Sequence, residues 1–151
     1  MLRKAFNNVY MNFKLHFYKK VFERIGDRET SLTTVEAFCM EIIYALNHPT
    51  VNEFALVTNI SSPNAAYKVN NLIKKGYLKK VQSTKDKREF HLEVTQKYLD
   101  YYNISYNYMD IVVKRIEDRL EPDELKTLVK VLNLIDEELM PEVSEWKRNE
   151  G

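Results

Sequence analysis

The sequence predicts a mainly helical fold that carries one small β-hairpin, and three observations support this class. Glycine and proline number only 3 and 4 in a chain of 151 residues, which disfavours a turn-rich β-sandwich. Apolar residues recur every three or four positions over most of the chain, the spacing of one face of a helix. Between Tyr77 and Val94 the spacing is nearer two, as in strands. A chain of this length fits one domain.

Two helices are predicted in the N-terminal part of the chain. The first covers residues 2–25, with an apolar stripe at three- and four-residue spacing, and ends at Gly26. The second follows a capping region at residues 31–34. It ends before Pro49, because proline disfavours helical geometry in the residue that precedes it.

The middle of the chain predicts a helix-turn-helix. Its first helix opens with a capping box at Thr50 and Glu53. A polar turn leads to Ser62 and Pro63, which start the second helix. Serine caps well, and proline at the first helical position gives up an N–H that has no helical partner. Gly76 follows where a left-handed C-cap is expected.

A hairpin and two helices are predicted to complete the chain. The hairpin joins strands at residues 77–81 and 90–94 through a polar tip. Thr95 then caps a long helix that extends to Leu120, and Pro122 breaks it. The last helix opens with acidic residues, which suit the positive N-terminal end of a helix.

This order of helix, turn, helix and basic hairpin is that of a winged helix-turn-helix. A helix fits the major groove of DNA with its N-terminal residues at base edges, and a basic hairpin tip can straddle phosphates. Arg88 is the candidate for insertion into the minor groove, whose potential is most negative at narrow A·T-rich sequence. Asp86 is expected to brace the tip. The predicted DNA-binding residues are Ser61, Ser62, Asn64, Ala65, Tyr67, Lys68, Lys85, Asp86, Lys87 and Arg88.

Charge is unevenly distributed along the chain. The totals nearly balance, at 23 basic and 22 acidic residues. Residues 61–91, however, contain eight Lys or Arg against two acidic residues, a local excess of +6. Runs of charge are usually solvated surface. Here the basic hairpin follows a capped helix and has Asp-x-Arg spacing, and this combination favours DNA contact.

Several segments resemble the multiple-antibiotic-resistance regulator (MarR) family. They are residues 52–55, 60–61, 64–75 and 76–78, and above all Asp86-Lys87-Arg88 followed by Leu92-Glu93-Val94-Thr95. The Asp-x-Arg of the hairpin and the closing Leu-x-Val-Thr match the pattern of that family at the expected spacing. The sequence departs from it at Asn70 and Asn71, where the family often has an arginine for phosphate contact.

The resemblance implies an organisation and a function. It implies a single domain over residues 1–151, with a winged-helix core at 34–97 and dimerisation helices at 1–26 and 98–148. It also implies an obligate homodimer that sets two recognition helices on a palindromic operator and regulates transcription, most often as a repressor. The alternative is a winged-helix dimerisation or protein-interaction module without operator binding, since fold does not determine function.

Aromatic residues of the flanking helices are candidates for the effector pocket that many relatives have between the dimer helices and the DNA-binding lobe. A small aromatic, phenolic or carboxylate effector would bind there. Aromatic stripes at helical spacing are more often plain core or dimer interface, and this alternative stays open. The predicted pocket residues are Tyr10, Phe13, Phe17, Tyr98 and Tyr102.

Other chemistry is not predicted. Cys39 is expected to be a buried, inert thiol, because no cationic side chain lies within the same helix turn. The histidines are scattered singly, so neither a metal site nor a cofactor is predicted. No phosphate loop or catalytic spacing is found, which predicts that the chain is no enzyme. The lack of a secretory signal or membrane-spanning run predicts a cytoplasmic protein without a membrane partner, and the family resemblance implies a bacterial one.

Overall fold

A computed structural model describes residues 1–25, 32–102 and 104–147, with the backbone alone for residues 24, 25, 101, 102 and 104–106. Its helices and strands are, in order, α1 (Leu2–Ile25), α2 (Thr34–Ala45), α3 (Val51–Thr58), α4 (Ser62–Lys74), β1 (Leu78–Gln82), β2 (Phe90–Val94), α5 (Gln96–Tyr102), α6 (Ile104–Arg119), α7 (Pro122–Glu138) and α8 (Pro141–Ser144). The predicted class, mainly helical with a small hairpin, is confirmed.

Local sequence signals account for the starts of α2 and α3. Thr33 and Glu36 form a reciprocal capping box, in which each side chain accepts the backbone N–H of the other, at 3.0 and 3.2 Å. At the start of α3 the Thr50 hydroxyl accepts the Glu53 N–H at 3.2 Å. These caps satisfy N–H groups that have no partner within the helix.

The predicted helix from Thr95 to Leu120 corresponds to α5 and α6, which lie on either side of residue 103, outside the described residues. The Thr95 carbonyl accepts the Leu99 N–H at 3.2 Å, as expected at a cap position. Its hydroxyl instead donates to the carbonyl of Gly76 at 2.6 Å. Thr95 therefore connects the end of β2 to Gly76, two residues before β1.

A sharp corner at residues 47–49 joins α2 to α3. Asn47 and His48 both have left-handed backbone geometry, with φ of 54° and 58°. This agrees with the predicted end of α2 before Pro49. The Pro49 carbonyl accepts the N–H of Leu92 in β2 at 2.7 Å. The corner therefore positions the hairpin against the helix-turn-helix.

The hydrophobic core lies within the winged helix. Of the described side chains in α1, α6, α7 and α8, Val21 is the one that is buried. The long flanking helices therefore expose most of their apolar residues. The core is formed by buried residues of α2 to α5 and of the hairpin, including Met40, Ile43, Phe54, Ala65, Val69, Leu72, Tyr77, Leu78, Leu92 and Tyr98.

One ion pair joins the start of α2 to the end of α4. The Lys75 ammonium lies 2.9 Å from Glu36 Oε1, and both side chains are largely shielded from solvent. Burial acts to raise the pKa of Glu36, but hydrogen bonds from Lys75 and Thr33 outweigh it and hold the pKa below its ordinary value of 4.5. The ionised form of Glu36 is therefore the one that stabilises the fold.

Replacing Glu36 with glutamine should lower the free energy of unfolding by about 1–2 kcal/mol at pH 7, the loss expected for a partly exposed charged hydrogen bond. A pKa that is lower in the folded than in the unfolded chain means that the contribution is complete above pH 4.5. It should disappear as the pH falls through the folded-state pKa. Urea unfolding at pH 7 and pH 3 measures this, with Glu142→Gln on the exposed surface of α8 as control. An equal deficit at both pH values would contradict the role of the ion pair.

Candidate nucleic-acid interface

The turn between α3 and α4 sets the direction of the second helix. Asn59 ends α3 in the left-handed region, with φ of 53°, which asparagine tolerates better than most residues. The Ser61 hydroxyl then accepts the Asn64 N–H at 3.3 Å and caps α4. The cap was predicted at Ser62, one residue too late. Ser62 is instead the first helical residue, and its hydroxyl donates to Asn52 Oδ1 of α3 at 3.2 Å.

The outward face of α4, with its cap, carries five of the ten predicted contact residues. Ser61, Ser62 and Asn64 are exposed at its start, and the Tyr67 side chain is 66% exposed one turn later. Lys68 is half-buried at the edge of this face. Ala65 has no exposed surface, because it packs on the opposite side of α4. A residue without surface cannot contact DNA, so Ala65 belongs to the core alone.

Two further residues of α4 lie on the same outward face. Asn70 and Lys74 are exposed, three and seven positions after Tyr67, so they lie on the same side of the helix. Asn70 departs from the family pattern and Lys74 is one of the eight basic residues of 61–91, but neither was predicted to contact DNA. Their three- and seven-residue spacing from Tyr67 was the signal that could have identified both.

The end of α4 leads directly into the hairpin. Gly76 has φ of 86°, so the predicted left-handed C-cap is confirmed. The Gly76 N–H donates to Ile73 O and the Tyr77 N–H to Leu72 O, both at 3.0 Å, the two bonds of a Schellman motif. β1 and β2 then pair antiparallel from Leu78 with Val94 to Gln82 with Phe90. This hairpin, residues 78–94, is called the wing below.

Hydrogen bonds within the tip of the wing orient Arg88. Asp86 Oδ1 accepts the Arg88 N–H at 3.0 Å and lies 3.3 Å from its Nε. The Ser83 hydroxyl accepts the N–H groups of Lys85 and Asp86 at 3.2 and 3.3 Å. The Arg88 side chain is nevertheless 92% exposed. Hydrogen bonds within the tip therefore hold its backbone in place, while the Arg88 guanidinium projects into solvent.

The net charge of the surface formed by α4 and the wing is smaller than the +6 counted over residues 61–91. Lys75 pairs with Glu36, and Lys79 lies 3.4 Å from Glu93, which also faces His48 Nδ1 at 3.7 Å. Both acidic residues lie outside the stretch 61–91. Adding them to the two acidic residues within it leaves eight basic against four acidic side chains, an excess of +4. The remaining basic residues include those of the wing tip and the outward face of α4.

Cys39 is buried, as predicted. Burial raises the pKa of its thiol, and the charge of Glu36 adds to this, while Lys68 of α4 acts in the opposite direction. The cationic neighbour therefore comes from another helix, which spacing along α2 could not reveal. A thiol with a raised pKa is a poor nucleophile at neutral pH.

The predicted effector-pocket residues occupy different environments. Tyr10 is exposed on α1, whereas Phe13 contacts the ring of Tyr108 edge-on, with centroids 5.6 Å apart. The ring centroid of Phe17 lies 6.3 Å from that of Phe38 in α2. Tyr98 is packed in the winged-helix core at 1% exposure, so it has almost no surface for a ligand. The Tyr102 side chain lies outside the described residues.

Among the described residues, two of the cavities that lie away from the predicted pocket residues are large enough for a small molecule. One, of about 400 Å³, separates the wing tip from the 47–49 corner. The other, of about 590 Å³, lies between α6 and the start of α7 and is lined by Val112, Ile116 and Leu128 among others. Within the described ranges, no group of His, Cys, Asp and Glu is arranged to hold a metal ion. No helix among these residues has the length and apolarity needed to cross a membrane.

Comparison with known proteins gives a consistent result. Residues 32–90 match the sequence profile of the MarR family. Over 141 residues, the chain is 23% identical to an uncharacterized HTH-type transcriptional regulator, YkoM of Bacillus subtilis (strain 168), and the match covers 87% of this chain and 92% of YkoM.

Two solved structures share the fold. FabT of Streptococcus pneumoniae, in complex with DNA, superposes with a TM-score of 0.56 at 20% identity, over 91% of this chain and 94% of FabT. S. aureus MepR bound to ethidium bromide superposes with a TM-score of 0.53 at 15% identity, over 93% of this chain and 97% of MepR. At these identities the two structures establish a shared fold, a winged helix with flanking helices, over nearly the whole chain.

Proposed function

We propose, from the premise that this chain is a MarR family transcriptional regulator, that it binds duplex DNA in a sequence-specific manner. The observation that carries the proposal is the outward face of α4, whose capped start leads through the Gly76 turn to the projecting Arg88. A helix and a wing in this arrangement suit a major groove and the neighbouring minor groove. FabT, which has the same fold, was solved in complex with DNA.

The acting unit is a homodimer that binds a palindromic operator. The exposed apolar residues of the flanking helices support this part of the proposal. α7 has no buried residue, although Val129 and Leu132, with Leu139 directly after the helix, form one apolar stripe along it. On α1, Leu2 and Phe6 are similarly exposed. A second copy would cover these faces, with residues 34–97 as the DNA-binding core and residues 1–26 and 98–148 as the dimerisation part.

The regulator acts as a repressor in the bacterial cytoplasm, where operator DNA lies, and a small aromatic or carboxylate effector releases it. Aromatic contacts support the effector site. They join α1 to α6 through Phe13 and α1 to α2 of the winged helix through Phe17 and Phe38. A ligand at this junction would alter the angle between the dimerisation helices and the DNA-binding core. MepR, which was solved with the aromatic cation ethidium, provides a precedent in this fold.

Binding to a labelled pool of random duplexes, measured as salt is raised, tests the proposal. A DNA-binding dimer should lose affinity by about 100-fold between roughly 50 and 200 mM salt, because each phosphate contact releases counterions. Lys87→Ala in the wing should reduce the salt dependence, whereas Lys130→Ala on α7 should leave it unchanged. A folded dimer that binds no duplex at the lowest salt would favour the protein-interaction alternative.

A further inference from the structure

The first two turns of α4 present an unusual set of side chains for a recognition helix. The exposed positions there are Ser62, Pro63, Asn64 and Tyr67, and α4 contains no arginine at all. Arginine is the side chain that most often selects guanine, through its two parallel N–H donors. A helix without arginine that starts with an exposed carboxamide and a phenol has a different base preference.

Asn64 is the residue best placed to contact a base edge. It is the third residue of α4, and its backbone N–H is held by the Ser61 hydroxyl at 3.3 Å. Ser62 is bonded to Asn52 of α3, so both ends of this turn are anchored to the protein. The oxygen of a carboxamide can accept from the N6 amino group of adenine, and its NH2 group can donate to adenine N7. Guanine presents two acceptors at the corresponding positions.

Tyr67 favours an A·T base pair at a second position, next to the one that Asn64 contacts. Its side chain lies one turn after Asn64 and is 66% exposed. The edge of a phenol ring provides apolar contact for the C5-methyl group of thymine, which neither guanine nor cytosine carries. The lysines of α4 are less well placed. Lys68 is half-buried at the edge of the face, and Lys74 lies in the last turn, away from the helix start.

We propose that Asn64 and Tyr67 select A·T base pairs in the major groove, so that each operator half-site is A·T-rich. The inference rests on the proposed DNA binding and specifies its target. The wing is a second, independent reason to expect A·T-rich operator DNA. Arg88 projects from a tip braced by Asp86, and A·T-rich sequence narrows the minor groove and makes its potential more negative.

Selection from a random duplex pool, followed by sequencing of the captured fragments, tests this inference. The wild-type protein should enrich A·T-rich half-sites with adenine at one fixed position. Asn64→Ala should lose about 5- to 150-fold discrimination at that position and leave the others unchanged. Asn64→Arg should change the preferred base there from adenine to guanine. Lys87→Ala is the matched control, since loss of a phosphate contact weakens binding equally across sequences.

The outcomes separate this inference from the proposed function. Failure of the wild-type protein to capture any duplex would contradict DNA binding itself. Capture of G·C-rich half-sites, or an unchanged preference in Asn64→Ala, would overturn the inference while DNA binding stands. Melting by circular dichroism should give the same midpoint for wild type and Asn64→Ala, because the Asn64 side chain is exposed and the helix is capped by Ser61.

Discussion

Replacing Leu132 with aspartate is expected to separate the proposed homodimer into single chains of 18.0 kDa and to abolish tight operator binding. Leu132 lies in the middle of the apolar stripe of α7 and is 53% exposed in the isolated chain. In a dimer this position would be covered, and an unpaired buried carboxylate costs about 3–5 kcal/mol. A single chain contacts one half-site, so affinity for the full operator should fall by about 100-fold or more.

Thr127→Asp is the matched control for this substitution. It introduces the same side chain five positions earlier, on the side of α7 away from the stripe, where Thr127 is exposed. We expect it to remain dimeric in sedimentation equilibrium and to bind duplex DNA as the wild type does. If Leu132→Asp also stayed dimeric with wild-type affinity, the stripe on α7 would not be the dimer interface.

The structure also indicates how the single chain should behave. Its core lies within the winged helix and does not include the exposed stripe of α7. Leu132→Asp should therefore retain helical circular dichroism and a cooperative unfolding transition. Complete unfolding would mean that the core depends on the dimer, as it does in many obligate homodimers.

Replacing Arg88 with alanine is expected to weaken operator binding by about 1–3 kcal/mol, or 5- to 150-fold, the range for one good base-directed contact. The Arg88 side chain is 92% exposed, and its bonds to Asp86 lie within the tip. The substitution should therefore leave the melting temperature unchanged. Fluorescence anisotropy with an operator duplex, together with thermal melting, measures both quantities.

Two further variants distinguish the role of the guanidinium from that of its charge. Arg88→Lys retains the charge, but the lysine ammonium is more strongly hydrated than the guanidinium. This variant should therefore recover only part of the affinity that Arg88→Ala loses. Asp86→Ala removes the brace and should weaken binding less than Arg88→Ala does. Equal affinity of wild type and Arg88→Ala at every salt concentration would contradict contact by the wing.

Local signals in the sequence were sufficient to predict the order and type of the elements around the site. Gly76 predicted a left-handed C-cap, and the structure has φ of 86° there. The change to a period of two predicted the wing, whose second strand begins and ends where expected, at Phe90 and Val94. The first strand begins one residue later than predicted, because Tyr77 is engaged in the end of α4. These features depend on residues that are adjacent in the chain, so they can be predicted from a single sequence.

The cap of α4 and the charge of its surface depend on contacts between distant segments. Two adjacent serines have equal intrinsic ability to cap, and the bond from Ser62 to Asn52 of α3 accompanies a cap at Ser61. Lys75 and Lys79 were counted as free charges in the sequence. Glu36 and Glu93, from separate elements, pair with them in the structure.

The helices, the turn and the wing could be predicted from the sequence, because capping, glycine conformation and apolar period are properties of adjacent residues. Which side chains remain available for a ligand depends instead on tertiary packing. Ala65 and Tyr98 are suitably placed along the chain for their predicted contacts, yet both lie in the core. Burial is set by the residues that pack from other elements, and ion pairing by charges brought close in space. Neither quantity can be obtained from spacing along one chain.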